Sequence, residues 1–94
     1  MNFAVRLTPE ARQDITRLAK FLATKSPAAM AKARAALKSG IEGLRTFPNR
    51  GAVRGDSGER ELLAPFGRDG YVIQYLVEGR RVTVLRIFHA REDR

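Results

Sequence analysis

Two Thr/Ser–Pro pairs, Thr8-Pro9 and Ser26-Pro27, constrain the fold of this chain more than any other feature of its sequence. Each pair is typical of a helix start, because the hydroxyl caps free backbone N–H groups and proline suits the first helical position. After each pair, apolar residues recur at spacings of three and four, as in an amphipathic helix. These residues are Ala11, Ile15, Leu18, Ala19 and Leu22, then Met30, Ala33, Leu37, Ile41 and Leu44. Since few residues separate the two segments, the sequence predicts an antiparallel helical hairpin.

Alternating segments on both sides of the hairpin predict strands. Residues 2–7 alternate between apolar and other side chains, which indicates a short half-buried strand. The second helix ends at Phe47-Pro48-Asn49, and residues 48–59 contain one proline and three glycines without an apolar period, which predicts a long loop. Three more strands follow over residues 60–66, 71–77 and 81–88, separated by the short turns 67–70 and 78–80.

The order strand, helix, helix and three strands is typical of an α+β domain. We predict a single domain over residues 1–94 in which a small antiparallel sheet packs on the two-helix hairpin in the order β-α-α-β-β-β. The sheet consists of the N-terminal strand and the three-stranded C-terminal meander. One of its faces is then left without a covering layer.

The residue types in the chain exclude several kinds of active site. There is no cysteine, so a disulfide framework, a thiolate zinc site and a cysteine nucleophile are all excluded. His89 is the one histidine, which also excludes a His-rich metal site, and we expect neither a metal nor another cofactor. No apolar run approaches the roughly 20 residues of a membrane span, and the N-terminus is too charged for a signal peptide. We therefore expect a cytoplasmic protein with no membrane partner.

The charge of the chain predicts a partner of opposite sign. Lys and Arg number 18 against 10 acidic residues, for a net charge of +8, and residues 1–47 hold +6 of it. Nucleic acid, an acidic protein and an anionic surface all fit this charge. Arginine supplies 14 of the 18 cations, which favours recognition of phosphate or carboxylate, although a GC-rich genome gives the same bias.

The remaining candidates for chemistry are basic residues in the strand region. RNA cleavage without a metal needs groups that move protons and cations that stabilise the phosphorane charge, and Arg, His, Lys and Tyr can share those tasks. By alternation, Arg86 shares a face with Val82 and Val84, where it is either paired with an acid or functional, and we favour pairing. Core packing is favoured for the tyrosines and local hydrogen bonding for the histidine. The full set is Arg60, Arg68, Arg86, His89 and Arg91, with Tyr71 and Tyr75.

An ordered set of short motifs extends over nearly the whole chain. The motifs are Leu7-Thr8-Pro9-Glu10-Ala11, Asp14-Ile15, Phe47-Pro48, Arg60-Glu61-Leu62, Gly70-Tyr71-Val72-Ile73-Gln74-Tyr75 and residues 84–93, which include Arg86, His89, Arg91 and Asp93. In this order and spacing they resemble the RelE/ParE toxin superfamily of bacterial type II toxin–antitoxin pairs. The resemblance implies a small sheet on a helical hairpin. It also implies a hetero-oligomer with an antitoxin that has an acidic toxin-binding segment and a DNA-binding repressor part.

Two activities occur in the superfamily that the chain resembles. RelE-like members cut mRNA in the ribosomal A site, whereas ParE-like members poison DNA gyrase. Catalytic members usually carry an arginine on the middle strand, where this chain has Val72, and this chain has no C-terminal tyrosine and no lysine after Lys38. The ending His-x-Arg-x-Asp is similar to the ParE branch.

We therefore hypothesise a ParE-like plasmid-stabilisation toxin that inhibits gyrase and is not an enzyme. Its predicted target-binding residues are Arg60, Arg68, Arg86, His89, Arg91 and Asp93, of which Arg86 and Asp93 are alternatively structural. The second hypothesis is a RelE-like, ribosome-dependent mRNA endoribonuclease that uses Arg60, Arg86, His89 and Arg91. The third is a small basic nucleic-acid-binding domain.

Overall fold

The two predicted helices are present and begin at the predicted caps. In a computed structural model that describes residues 2–92, helix α1 spans Pro9–Ala23 and helix α2 spans Pro27–Gly43. The Thr8 hydroxyl accepts a hydrogen bond from the Ala11 N–H at 3.0 Å, and the Ser26 hydroxyl accepts one from Ala29 at 3.2 Å. Both bonds satisfy N–H groups that have no partner inside the helix.

The strands form one five-stranded sheet in the order β1-β5-β4-β3-β2. They are β1 (Ala4–Leu7), β2 (Ala52–Val53), β3 (Arg60–Ala64), β4 (Tyr71–Glu78) and β5 (Arg81–His89). The meander β3-β4-β5 is antiparallel, and the α+β class with its predicted element order is confirmed.

The sheet differs from the prediction at both edges. Strand β1 pairs with β5 in parallel, so the sheet is mixed. Strand β2 lies inside the predicted loop 48–59 and pairs antiparallel with β3. A strand of two residues is too short to alternate, and the pairing of β1 with β5 joins parts of the chain far apart in sequence. Neither arrangement is therefore encoded in a local pattern.

One face of the sheet packs on the hairpin, with α1 mainly over β5 and α2 over β3 and β4. Tyr71, Ile73 and Tyr75 of β4 are buried on this face, which confirms that the tyrosines belong to the core. Gly40 explains how α2 comes so close, because a Cβ atom there would lie 3.1 Å from the Ile73 side chain and 3.2 Å from that of Ala64. The other face, which we call the open face, is not covered by any helix or strand of residues 2–92.

A β-bulge near Leu85 changes the alternation of β5. Tyr75 pairs with Val84 whereas Gln74 pairs with Arg86, so Leu85 is an extra residue. The buried residues of β5 are accordingly Val82, Val84 and Ile87. The expectation that Arg86 shares a face with Val82 and Val84 is wrong, because the extra residue turns Arg86 and Phe88 to the open face.

Candidate functional site

Arg86 is held by a buried carboxylate of α1. Asp14 is 4% exposed, and its two oxygens accept hydrogen bonds from Arg86 Nε at 2.8 Å and Arg86 Nη2 at 3.0 Å. The same carboxylate accepts the backbone N–H of Ile87 at 2.9 Å and Arg17 Nη2 at 3.3 Å. We call Asp14, Arg17 and Arg86 the α1–β5 clamp. The predicted pairing of Arg86 with an acid is thus confirmed, and the acid lies 72 residues away in sequence.

The clamp keeps its groups charged. Burial alone would raise the pKa of Asp14, but hydrogen bonds from Arg86, the Ile87 N–H and Arg17 outweigh burial and hold that pKa below its usual value of 3.8. The hydrogen bond with Asp14 raises the pKa of Arg86 in turn. The guanidinium is thereby fixed as an ion-pair partner of the protein itself.

The last described residues are attached to α1 and to the β3–β4 turn. Glu92 accepts a hydrogen bond from Arg17 and another from the His89 N–H, the latter at 3.0 Å. His89 Nδ1 accepts the N–H of Arg91 at 3.2 Å, and Arg91 Nε donates to Asp69 Oδ1 at 3.0 Å. Residues 89–92, which we call the C-terminal segment, therefore have a defined position.

An apolar cleft of about 380 Å³ lies between the C-terminal segment, α1 and β4. Phe21, Phe66 and Tyr71 supply its aromatic walls, and Phe21 is 62% exposed. The Tyr71 ring is stacked on Phe66 and meets His89 edge-on with 5.7 Å between centroids. Burial raises the pKa of the Tyr71 hydroxyl above its usual value of 10.0. We call this the terminal cleft; its full lining is Arg17, Leu18, Phe21, Leu22, Phe66, Tyr71, His89, Arg91 and Glu92.

Arg60 lies at the other end of the sheet and organises a loop. Its Nη1 donates to the Gly51 carbonyl at 2.7 Å and to the Asn49 carbonyl at 3.3 Å. The Tyr75 hydroxyl supports the same loop, since it accepts the Gly51 N–H at 2.8 Å and donates to Pro48 at 2.7 Å. A Cβ atom on Gly51 would lie 2.8 Å from the Glu61 carbonyl oxygen, which explains the glycine.

The structure brings some predicted site residues together and separates others. Arg60 is level with Tyr75, while His89 is level with Tyr71, so about 13 Å of strand separates the two positions. His89 and Arg91 lie together at the terminal cleft. Arg68 is exposed in the β3–β4 turn, and Asp93 lies outside the described residues. The roles of these residues in target binding or catalysis stay predictions.

The sequence analysis did not assign a role to three residues that complete this region, Asp14 and Phe21 of α1 and Glu92 of the C-terminal segment. Asp14 carried a usable signal, because it lies three residues after Ala11 and four before Leu18 on the predicted apolar stripe. An acid in that position predicts a buried partner. Phe21 and Glu92 carried no such signal.

Neither a metal cluster nor a membrane-spanning helix occurs in residues 2–92. No group of three or more His, Asp or Glu side chains there is arranged to hold a metal ion. No helix in that part of the chain is long and apolar enough to cross a bilayer.

Comparison with known proteins places the chain in a family. The model of the family described as ParE toxin of type II toxin–antitoxin system, parDE, matches residues 5–94. Toxin RelE1 of Caulobacter vibrioides is 36% identical over 94 residues, which cover 100% of both chains. Toxin RelE3 of the same bacterium is 37% identical over 91 residues, which cover 97% of this chain and 98% of that toxin.

Solved structures share the fold. A chain of the chromosomal ParDE system from P. aeruginosa has a TM-score of 0.75 at 22% identity, covering 95% of this chain and 97% of that one. A chain of the RelBE2 toxin–antitoxin complex from Mycobacterium tuberculosis has a TM-score of 0.63 at 23% identity, covering 95% and 99%. The full-length family match and the two relatives show that this chain belongs to the ParE toxin family, within the RelE/ParE superfamily of type II toxin–antitoxin systems.

Proposed function

We propose that this chain is a ParE-like toxin that acts in the cytoplasm by binding DNA gyrase, and that an acidic antitoxin neutralises it. We favour target binding over RNA cleavage because three of the candidate cations already bond to other groups of the protein. Arg60 donates to loop carbonyls, Arg86 is held by Asp14, and Arg91 is paired with Asp69. Cations that stabilise a phosphorane must be aimed at one reacting phosphate, and these three are engaged elsewhere.

The middle strand supports the same proposal. Val72 stands where catalytic members of the superfamily are expected to carry arginine, and its neighbours across the open face are Leu63 and Phe88. Leu63 is 52% exposed. An exposed apolar centre of this kind suits contact with a protein better than contact with a phosphodiester.

We place gyrase contact at the C-terminal segment and the rim of the terminal cleft. This surface combines an apolar interior with the side chains of His89 and Arg91, and the exposed Arg68 lies in the adjacent turn. Apolar anchors that fill a pocket, surrounded by polar groups, dominate the affinity of protein interfaces. Asp93 belongs to this proposed surface by its place in the sequence.

We place the antitoxin in a groove between the two helices. The groove has a volume of about 380 Å³, and its charged lining is Arg34, Lys38 and Glu42, the last of which is paired with Arg45. Its apolar part is formed by Leu7, Ile15, Leu37 and Ile41. An amphipathic segment with acidic residues is complementary to this groove. The similar chains from P. aeruginosa and M. tuberculosis come from toxin–antitoxin systems, which supports a partner of this kind.

A parallel measurement of two reactions tests the target. Purified toxin is added to a gyrase supercoiling assay and to programmed ribosomes with mRNA in the A site. We expect loss of supercoiling and intact mRNA. The variant H89A/R91A should lose inhibition at least tenfold, whereas R80A, in the exposed β4–β5 turn, should inhibit like the wild type. Normal supercoiling together with cleaved mRNA would overturn the proposal.

Normal supercoiling with cleaved mRNA would support a RelE-like endoribonuclease, and one observation favours this alternative. Both curated relatives bear the name RelE and are similar over essentially the whole chain. On this alternative, Arg60, Arg86, His89 and Arg91 share phosphate stabilisation and proton transfer. Substituting His89 alone should then lower the cleavage rate by ~10²-fold or more.

A further inference from the structure

Cations are concentrated on the outer surface of the helical hairpin. Residues 9–45 contain eight Lys and Arg residues, including all four lysines of the chain, and three acids. Two of these acids are already paired, since Asp14 belongs to the clamp with β5 and Glu42 pairs with Arg45. Within the described residues, six exposed cations of the hairpin form no ion pair. They are Arg12, Lys20, Lys25, Lys32, Arg34 and Lys38.

One side of α1 carries a continuous row of hydrogen-bond donors. Arg12, Gln13, Thr16, Arg17 and Lys20 line an open depression of about 510 Å³, which we call the α1 strip. All five side chains have N–H or O–H donors, of which the Thr16 hydroxyl donates to the Arg12 carbonyl at 3.3 Å, and neither a carboxylate nor an apolar residue belongs to the lining. Arg12, Thr16 and Lys20 are spaced by four residues, so they form a line of about 12 Å along the helix.

The lining of the α1 strip differs from that of the terminal cleft and from that of the groove between the two helices proposed for the antitoxin. Both of those have apolar interiors, as protein interfaces do. No apolar residue anchors the α1 strip as one would in such an interface, and its cationic and polar side chains suit phosphate oxygens. Arg12 and Lys20, at the two ends of the line of about 12 Å, are far enough apart to contact two different phosphates of one strand.

We propose that the α1 strip binds the phosphodiester backbone of a nucleic acid without regard to sequence. Contacts of such cationic side chains with phosphates position a protein on nucleic acid but carry no information about its sequence. This contact is additional to the proposed gyrase and antitoxin surfaces, and it does not depend on which target the toxin has.

The position of Arg17 decides which substitutions test the proposal. Its guanidinium bonds Glu92, Asp14 and the Ile87 carbonyl, so its charge is compensated and its removal would disturb the clamp. Arg12 and Lys20 lie on either side of it and are exposed. The double variant R12Q/K20Q therefore removes the uncompensated charge of the strip and leaves the fold in place.

Fluorescence anisotropy with the full chain provides the measurement. The probes are a 20-base-pair DNA duplex and a 20-nucleotide single-stranded RNA, each titrated at several salt concentrations between 50 and 200 mM. Each phosphate contact contributes about 0.9 to the slope of log K against log salt for duplex DNA and about 0.7 for a single strand. R12Q/K20Q should therefore reduce the slope by about 1.8 with DNA or about 1.4 with RNA.

A matched control separates local contact from net charge. Arg54 and Arg80 are exposed and lie in the loop after β2 and in the β4–β5 turn, away from α1. R54Q/R80Q carries the same total charge as R12Q/K20Q and should retain the wild-type slope. Equal thermal midpoints will show that both variants are folded.

Three results would overturn the proposal: no binding of either probe by the wild type at 50 mM salt, equal loss of slope in the two double variants, and displacement of the probe by polyglutamate as effectively as by nucleic acid. The last of these would identify an acidic polypeptide as the ligand. Tighter binding of the DNA or of the RNA would tell which nucleic acid the strip prefers, and either preference supports backbone recognition. The anisotropy experiment measures nucleic-acid binding and not gyrase inhibition. A negative result would therefore overturn the proposal for the α1 strip without deciding the proposed function.

Discussion

The edge of β5 is covered in two different ways along its length. Over Arg81–Val84 it is covered by the backbone of β1, in a parallel ladder that ends at Leu7 and Val84. Beyond that point side chains take over: Thr8 donates to the Leu85 carbonyl at 2.8 Å, Asp14 accepts the Ile87 N–H, and Glu92 accepts the His89 N–H.

Both coverings satisfy backbone groups that an exposed edge would leave unpaired. They differ in what they require of the sequence. A ladder uses neutral peptide groups that almost every residue possesses, whereas the second half depends on the identity and charge of a few side chains. Stability should therefore respond to single substitutions and to pH in the second half of β5 and much less in the first.

The largest expected effect is that of Asp14→Ala. The substitution leaves the buried Ile87 N–H without an acceptor and removes the partner of Arg86, so it should lower the free energy of unfolding by about 2–4 kcal/mol. Arg6→Ala in β1 is the control, because Arg6 is exposed and its backbone pairing is unchanged. Urea unfolding of both variants makes the comparison. Similar midpoints for the two would contradict the distinction between the two halves.

The same comparison shows how far the sequence predicts the fold. Caps and periodicity are local, so the starts of α1 and α2 and the meander follow from residues close in sequence. The bulge at Leu85 and the pairing of β1 with β5 depend on contacts between distant segments, so no local sequence pattern predicts them. The bulge then decides the face of Arg86, which alternation alone assigned wrongly.

For the candidate site the outcome is similar. Alternation placed Arg86 among apolar residues and favoured an acid as its partner; the pairing is confirmed, although Arg86 lies on the other face. The sequence did not identify Asp14 as that acid, since the two residues meet only once α1 lies along β5. Tyr75 was predicted as core, but its hydrogen bonds to the loop at Pro48 and Gly51 required the folded positions of both segments.

The second prediction concerns how the stability contributed by Asp14 depends on pH. Because the pKa of Asp14 is lowered in the folded state, its carboxylate contributes stability that is present above the unfolded value near 3.8. That contribution is lost as the pH falls through the lower, folded pKa. Asp14→Asn should be less stable than the wild type at pH 7, and the gap should shrink below about pH 4. Urea midpoints at a series of pH values measure this gap; a constant gap would show that the ionised carboxylate is not what covers Ile87.

The third prediction compares the two helix caps. Thr8 caps α1 and also donates to β5, whereas within residues 2–92 Ser26 caps α2 and forms no hydrogen bond with the sheet. Loss of a cap costs about 1 kcal/mol, and loss of a further hydrogen bond adds about 1 kcal/mol. Thr8→Ala should therefore destabilise by about twice as much as Ser26→Ala in thermal or urea unfolding. Equal losses would mean that the bond to Leu85 contributes nothing to the edge.

The smallest effect should come from Glu92→Gln, at the exposed end of the same edge. The side chains of Arg17 and Glu92 are 44% and 28% exposed, so their ion pair contributes less than about 1 kcal/mol, and 0.5 M NaCl should remove most of that. The neutral amide still offers an oxygen to the His89 N–H, so the segment keeps its backbone bond while its attachment to α1 weakens. If this segment contacts gyrase, the variant should inhibit supercoiling several-fold less well although its unfolding midpoint barely moves. If Glu92→Gln inhibits gyrase like the wild type at low and at high salt, the ion pair between Arg17 and Glu92 contributes to stability but not to inhibition.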